Sequence, residues 1–327
     1  MLQDHRQISI QNWLKSILPS PTFEFSSASS DASFRRYFRV IQNQQSWIVM
    51  DAPPDLEDTT SFVQIASFLY SDGINVPKIF AQDKEQGFLL LTDFGNTPYL
   101  QQLNEQSADR LYRVAIDSLI AIQLAPSENI DLPIYDSARL QQEMALFPEW
   151  FLQKHMTIQS PDFIETIYQL LITNALEQPQ VIVHRDYHSR NLMICDDGSA
   201  GIIDFQDAVI GPITYDLVSL LRDCYIAWPQ DRIDHWLRYY YQQARTKVLL
   251  ADISFEQFKR WFDLMGIQRH LKVLGIFCRL NYRDGKINYM NDLPLTLHYI
   301  KQVASHYPEL AVLSDFLNQL PQLETKL

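Results

Sequence analysis

At 327 residues the chain is too long for one small core and suits two lobes. Apolar content of 46% with 20% charged residues excludes a disordered chain, and 27 basic against 39 acidic residues give a net charge of −12. That balance disfavours nucleic acid as a partner, because nucleic-acid binding relies on Lys and Arg neutralising phosphates.

The N-terminus, MLQDHRQ, carries an acid where a signal peptide needs basic residues. No apolar run approaches the roughly 18 residues of a membrane span. The three cysteines (Cys195, Cys224, Cys278) lie far apart without metal-ligand spacing, which suits reduced thiols in a cytoplasmic protein. None of the nine glycines forms a G-x-G pair, so both the dinucleotide fingerprint and the Walker loop are absent.

Along the chain, the first ninety or so residues read as β-rich. Strands are predicted over 22–25, 34–40 and 46–50, then an amphipathic helix over 57–70 closed by Gly73. Two more strands are predicted at 78–81 and 88–92, joined by a turn at Gln86 and Gly87. From Ser107 the pattern becomes helical, with helices expected over 108–124, 139–154, 163–176, 231–249 and 255–281. The predicted fold class is therefore α+β, with a small β-rich N-terminal lobe (1–94), a linker near 92–97 and a larger, mainly helical lobe (95–327).

The chemistry concentrates in VIVHRDYHSRNLMICDDGSAGIIDFQD. Short apolar runs alternate there with loops bearing Asp186, Asn191 and Asp204. Phosphoryl transfer needs that set: one Asp to orient and deprotonate the attacking hydroxyl, and an Asn and a second Asp to hold Mg²⁺ on the nucleotide phosphates. Asp186 is the expected base, and Asn191 and Asp204 offer the hard oxygens Mg²⁺ prefers. Asp93-Phe94-Gly95 spells the kinase metal motif but precedes the catalytic loop; Asp93 is placed instead where the lobes join and the adenine lies.

His184 and His188 are four apart, but the metalloprotease pattern needs Glu after the first His, and Arg185 stands there. His184 is read as an organiser of the loop, and His188 stays open between substrate contact and solvated face. Asp216 is read as a helix N-cap, as a brace for the catalytic-loop backbone, or as both.

The phosphate-binding turn should lie between the first two strands, where the chain offers Ser29 to Ser33 and no glycine. Ser30, Asp31 and Ser33 can form an anion-binding concavity, or simply a hairpin turn. The third strand holds Met50 where protein kinases place a lysine, so the counter-charge for the triphosphate is expected from Arg35 or Arg36. Glu57 and Asp58 are candidate partners for such a cation.

These residues resemble the aminoglycoside phosphotransferase and choline kinase-like superfamily. HRDYHSRNLM and IIDFQDAVIGP are similar to its catalytic and metal loops, and VPKIF with GFLLLTDFG to its approach to the linker. Within it, SSDASFRRYFRV, WIVMDAPPDLED, LFPEWFL and LGIFCRLNYRDGK look like bacterial kinases that phosphorylate N-acetylmuramate and N-acetylglucosamine at C1 in peptidoglycan recycling.

The resemblance implies a two-lobed protein-kinase-like fold, ATP with Mg²⁺, and a small-molecule amino sugar as acceptor. His188, Arg190, Asp207 and Glu149 are candidate acceptor contacts, with Arg190, Arg279 or Arg283 for the lactyl carboxylate. Glu149, Trp150 and Phe151 offer a sugar platform or, in their helical context, core packing. The rival readings are a kinase for a cationic small molecule, caged by Trp150, Phe151, Tyr187 and Trp228, and a nucleotide-binding regulator without catalysis. The sequence leaves the oligomeric state open.

Overall fold

A computed structural model describes residues 4–30, 34–321 and 323. The chain divides into two compact units, one holding the chain up to Thr97 together with Met193–Asp207, the other Pro98–Leu192 and the chain from Ala208 onward. The sequence suggests a single cut near residue 94; the units require three crossings, because the segment Met193–Asp207 belongs with the N-terminal unit.

The first unit is built on a five-stranded sheet. Its order is β1 (Glu24–Ser30), β2 (Arg36–Gln42), β3 (Gln45–Asp51), β5 (Phe88–Thr92) and β4 (Ile79–Asp83), and all neighbours are antiparallel. β2 alternates, burying Phe38, Val40 and Gln42 on one face. Against that face packs α1 (His5–Ile17), a helix the sequence reading missed. Its Ile10 and Leu14, with Leu18 beyond it, form an i, i+4, i+8 stripe against Phe38, Val40, Val49, Phe88 and Leu90.

Asp4 caps α1 by accepting the N–H groups of Arg6 (3.1 Å) and Gln7 (3.3 Å). Arg6 then reaches Asp51, a fully buried carboxylate in β3. The predicted helix at 57–70 begins later, as α2 (Thr60–Ser71), because Asp58 accepts the Thr60 N–H at 2.8 Å and leaves Glu57 in the preceding loop. The strand predicted at 22–25 is β1, which starts at Glu24 and runs on through Ser30.

In the second unit, α3 (Tyr99–Gln102), α4 (Ala108–Leu124), α5 (Ser137–Met144) and α6 (Ile164–Leu176) precede β6 (Gln180–Val183). β6 pairs antiparallel with β9 (Val209–Pro212), and residues 184–191 follow its end. α7 (Tyr215–Leu221), α8 (Gln230–Thr246), α9 (Phe255–Asp284), α10 (Leu293–Ala304) and α11 (Ala311–Gln319) follow. α9 is buried around most of its circumference, as expected of a helix in the middle of a bundle.

The single helix expected over 139–154 is broken. After α5 comes a π-helical stretch, Phe147–Met156, whose first turn holds Pro148 and so lacks one N–H. It lies close to α9: a Cβ at Gly275 would stand 2.4 Å from the Leu146 carbonyl, so only glycine fits there. Among the described residues no helix is long and apolar enough to cross a membrane.

Candidate active site

Residues 184–191 follow β6, whose Val181, Ile182 and Val183 are buried and fix where the loop begins. Asp216, the second residue of α7, accepts the N–H of His184 at 2.6 Å and of Arg185 at 2.9 Å. Of the two readings of Asp216, the brace is the one realised; the helix cap is Thr214. Burial pushes the Asp216 carboxyl up to about 6, against the pull of His184 and the two N–H groups.

His184 in turn receives the Asp186 N–H on Nδ1 at 3.3 Å. Tyr187 anchors the middle of the loop in the core, its hydroxyl donating to the Ala115 carbonyl at 2.7 Å. Asn191 Nδ2 donates to the Asp186 carbonyl at 3.1 Å, which fixes the carboxamide. Asp223 holds the far side, accepting from Ser189 through its N–H (3.0 Å) and its hydroxyl (2.5 Å).

Asp186 is half-buried. Burial pushes its carboxyl up, but His188, Lys272, Arg269 and His184 more than offset that, and the carboxyl lies below the usual range. The group is therefore ionised at neutral pH, as an orienting acceptor for a hydroxyl proton must be.

Asp204 lies in the first unit, beyond β8 (Ala200–Ile202), which with β7 (Leu192–Ile194) makes a two-stranded ribbon. Asn75 secures that segment: its carbonyl accepts the Ile202 N–H at 2.9 Å, and its side chain donates to Ser199 and Ala200. Gly201 is obligatory, because a Cβ would meet the Phe94 ring at 2.7 Å. Asp204 has a positive φ of 68°, uncommon for a non-glycine residue and typical of constrained functional sites. Gln206 Nε2 donates to its Oδ1 at 2.8 Å.

On the proposed nucleotide side, Asp31 and Ser33 lie outside the described residues, and Ser30 pairs through its backbone with Arg36. Arg35 meets Glu57 at 3.3 Å, and Glu57 also accepts the Phe34 N–H. Arg36 is engaged elsewhere, with Asp51 at 2.5 Å and with Asp4. Asp93 is held by Arg39 in a bidentate pair (2.6 and 2.9 Å) and accepts the Gly95 N–H. Its carboxylate braces the chain just after β5.

Of the candidate acceptor contacts, His188 is buried edge-on against Tyr225, with ring centroids 5.3 Å apart, which removes the solvated-face reading. Arg190 is largely exposed, its guanidinium 3.4 Å over the Tyr225 ring and 4.0 Å from Asp292. Arg283 is exposed and paired with Asp284. Glu149 and Asp207 are exposed. Phe151 is fully buried on Phe147, so it packs the core as its helical context suggests. With Tyr187 also in the core, an aromatic cage loses two of its four rings.

Sequence reasoning missed Asp223, Glu143 and Lys272. Glu143 pairs with Arg185 and, at 2.9 Å, with Lys272. Each partner lies tens of residues away in the chain, so no spacing pattern announces it.

A family model described as "Phosphotransferase enzyme family" matches residues 24–250. The chain belongs to that family. A curated relative of this phosphotransferase in Pseudomonas aeruginosa is 44% identical over 98% of the chain and 99% of its own length. Another, in Neisseria meningitidis, is 40% identical over 98% of each. Both are named N-acetylmuramate/N-acetylglucosamine kinase.

Among solved structures, an ethanolamine kinase of Plasmodium vivax is similar with a TM-score of 0.67 at 12% identity, over 93% of this chain and 88% of that one. An ADP-bound aminoglycoside phosphotransferase gives 0.61 at 16% identity, over 92% and 99%. The phosphotransferase thus has the α+β, protein-kinase-like fold of these enzymes, with a sheet-based first unit and a mainly helical second one.

Proposed function

We propose that this phosphotransferase transfers the γ-phosphoryl group of ATP to the anomeric hydroxyl of N-acetylmuramate or N-acetylglucosamine in the cytoplasm. The observation that carries the acceptor class is the 44% identity running through 98% of the chain to a kinase of that name.

Asp186 accepts the hydrogen of the C1 hydroxyl and keeps that oxygen in line with the phosphorus. An anomeric hydroxyl is more acidic than an ordinary alcohol, so an ionised carboxylate of low basicity suffices. Asn191 and Asp204 are the oxygen donors for Mg²⁺, and a carboxamide with a carboxylate is a hard set that fits it. When bound, the ion neutralises charge developing on the phosphate oxygens.

Arg35, paired with Glu57 at 3.3 Å, supplies the counter-charge that Met50 cannot, and Ser30, Asp31 and Ser33 are the sequence's candidates for meeting the triphosphate. Arg190, already stacked on Tyr225, meets the lactyl carboxylate of N-acetylmuramate, and His188 lines the acceptor side. Asp207 and Glu149, both exposed, remain secondary candidates for the sugar hydroxyls.

The test is ³¹P NMR of Mg·ATP incubated with N-acetylmuramate, N-acetylglucosamine, choline and kanamycin. A sugar 1-phosphate doublet coupled to the anomeric proton is expected. Turnover of choline or kanamycin alone overturns the assignment.

A further inference from the structure

Arg185 stands directly before the proposed base and has a φ of 77°, in the left-handed region that favours glycine. Rotation of its backbone toward the ordinary right-handed or extended regions swings Asp186 away from its position. Something outside the loop must therefore hold this residue, and the second unit contains a buried network that does so.

The Arg185 guanidinium forms an ion pair with Glu143 of α5 and lies 5.9 Å over the Tyr135 ring. Glu143 is shared: Lys272 of α9 meets it at 2.9 Å, and the Tyr135 hydroxyl donates to it. Lys272 also donates to the Tyr215 hydroxyl at 3.0 Å, and Gln268 Nε2 donates to Tyr135 at 3.3 Å. Side chains from α5, α7 and α9 thus form one network in which Glu143 is the ionic partner of Arg185.

We propose that Glu143 and Lys272 are positioning residues that hold Arg185 in its left-handed conformation and so aim Asp186 at the acceptor. Burial pushes the Glu143 carboxyl up, but Lys272 and Arg185 pull it below its usual value, so the tether is ionised at neutral pH. One carboxylate serves two cations, so neutralising it leaves both without their anion and frees the loop.

The kinetic arm of the test rests on the sugar-kinase reading; a second arm does not. Glu143→Gln should lower kcat about 100-fold while KM for ATP stays within about twofold, the mark of a lost alignment and not of lost nucleotide binding. Adding Arg185→Gly, which needs no tether at positive φ, should recover at least about tenfold of that loss. A merely structural role for Glu143 predicts no such rescue.

Hydrogen exchange of the His184 and Arg185 amides, bonded to Asp216, reads the same geometry without substrate. Their protection should fall in Glu143→Gln and return in the double variant. If neither sugar is a substrate, the kinetic arm fails for that reason and the exchange arm still decides. If Glu143→Gln does not fold, Glu143→Asp withdraws the same carboxylate by one methylene, and the same rescue is expected. Unchanged kcat and protection in the single variant, or no recovery in the double, overturns the proposal.

Discussion

Asp216 accepts the backbone N–H of His184 at 2.6 Å, and a second oxygen takes the next N–H along the chain. One buried carboxylate thus satisfies two donors at the start of the catalytic loop. Asp216→Ala leaves both without a partner in the protein interior, which costs about 2–4 kcal/mol. Asp216→Asn, which keeps one acceptor oxygen, should lose less. Urea denaturation of both variants checks the ranking, and the Ala variant should also lose kcat because the loop it supports carries Asp186.

Asp186→Asn keeps the size and shape of the side chain but removes the acceptor for the hydroxyl proton. A fall in kcat of about 10²–10⁴-fold is expected, the ordinary worth of a positioned general base. Isothermal titration should show ATP binding close to wild type. Near-normal turnover would remove Asp186 from the chemistry.

We expect the two adjacent arginines to divide between structure and ligand. Asp51 is fully buried and held by Arg6 and Arg36, each at 2.5 Å. Arg36→Ala leaves that carboxylate with half of its counter-charge and should cost about 3 kcal/mol in stability, little of it visible as a change in KM for ATP. Arg35→Ala should do the reverse, raising KM for ATP about tenfold with a small change in melting temperature. Equal effects of the two variants on KM would refute the division.

His270 predicts an acid limit. It is buried, its ring stacked on Tyr299 and its Nε2–H donating to the Arg222 carbonyl at 2.9 Å. Burial, aided by the charge of Arg269, lowers its pKa to about 3. The folded value lies below the unfolded 6.5, so the unfolded chain binds the extra proton in that window. Stability is present above pH 6.5 and declines as pH falls toward 3, by up to about 4–5 kcal/mol from this group. His270→Gln, which keeps the donor without the titration, should flatten the pH dependence measured by denaturant melts.

What the sequence made legible was local. β5 at Phe88–Thr92 and α4 at Ala108–Leu124 fall where their apolar patterns end. The candidate loop at residues 184–191 is recognisable in the sequence because Asp186 and Asn191 sit close together along the chain. α1 was missed because its stripe, Ile10, Leu14 and Leu18, is diluted by His, Gln and Lys and acquires meaning only against the sheet. The close approach of Leu146 to Gly275 is a relationship across more than a hundred residues. Asp223, Glu143 and Lys272 carry no motif; they matter through what they touch. No spacing pattern shows that Arg35 pairs with Glu57 while Arg36 pairs with Asp4 and Asp51.

The ribbon Met193–Asp207 lies in the unit that begins the chain, tied to Asn75 and, through Ile194, to the Thr97 carbonyl. A gene fragment ending at Thr97 therefore lacks the segment that bonds to Asn75 and lies against Phe94. Anyone wanting that unit by itself must graft the distal ribbon back through a designed linker, since no single contiguous stretch of codons specifies it.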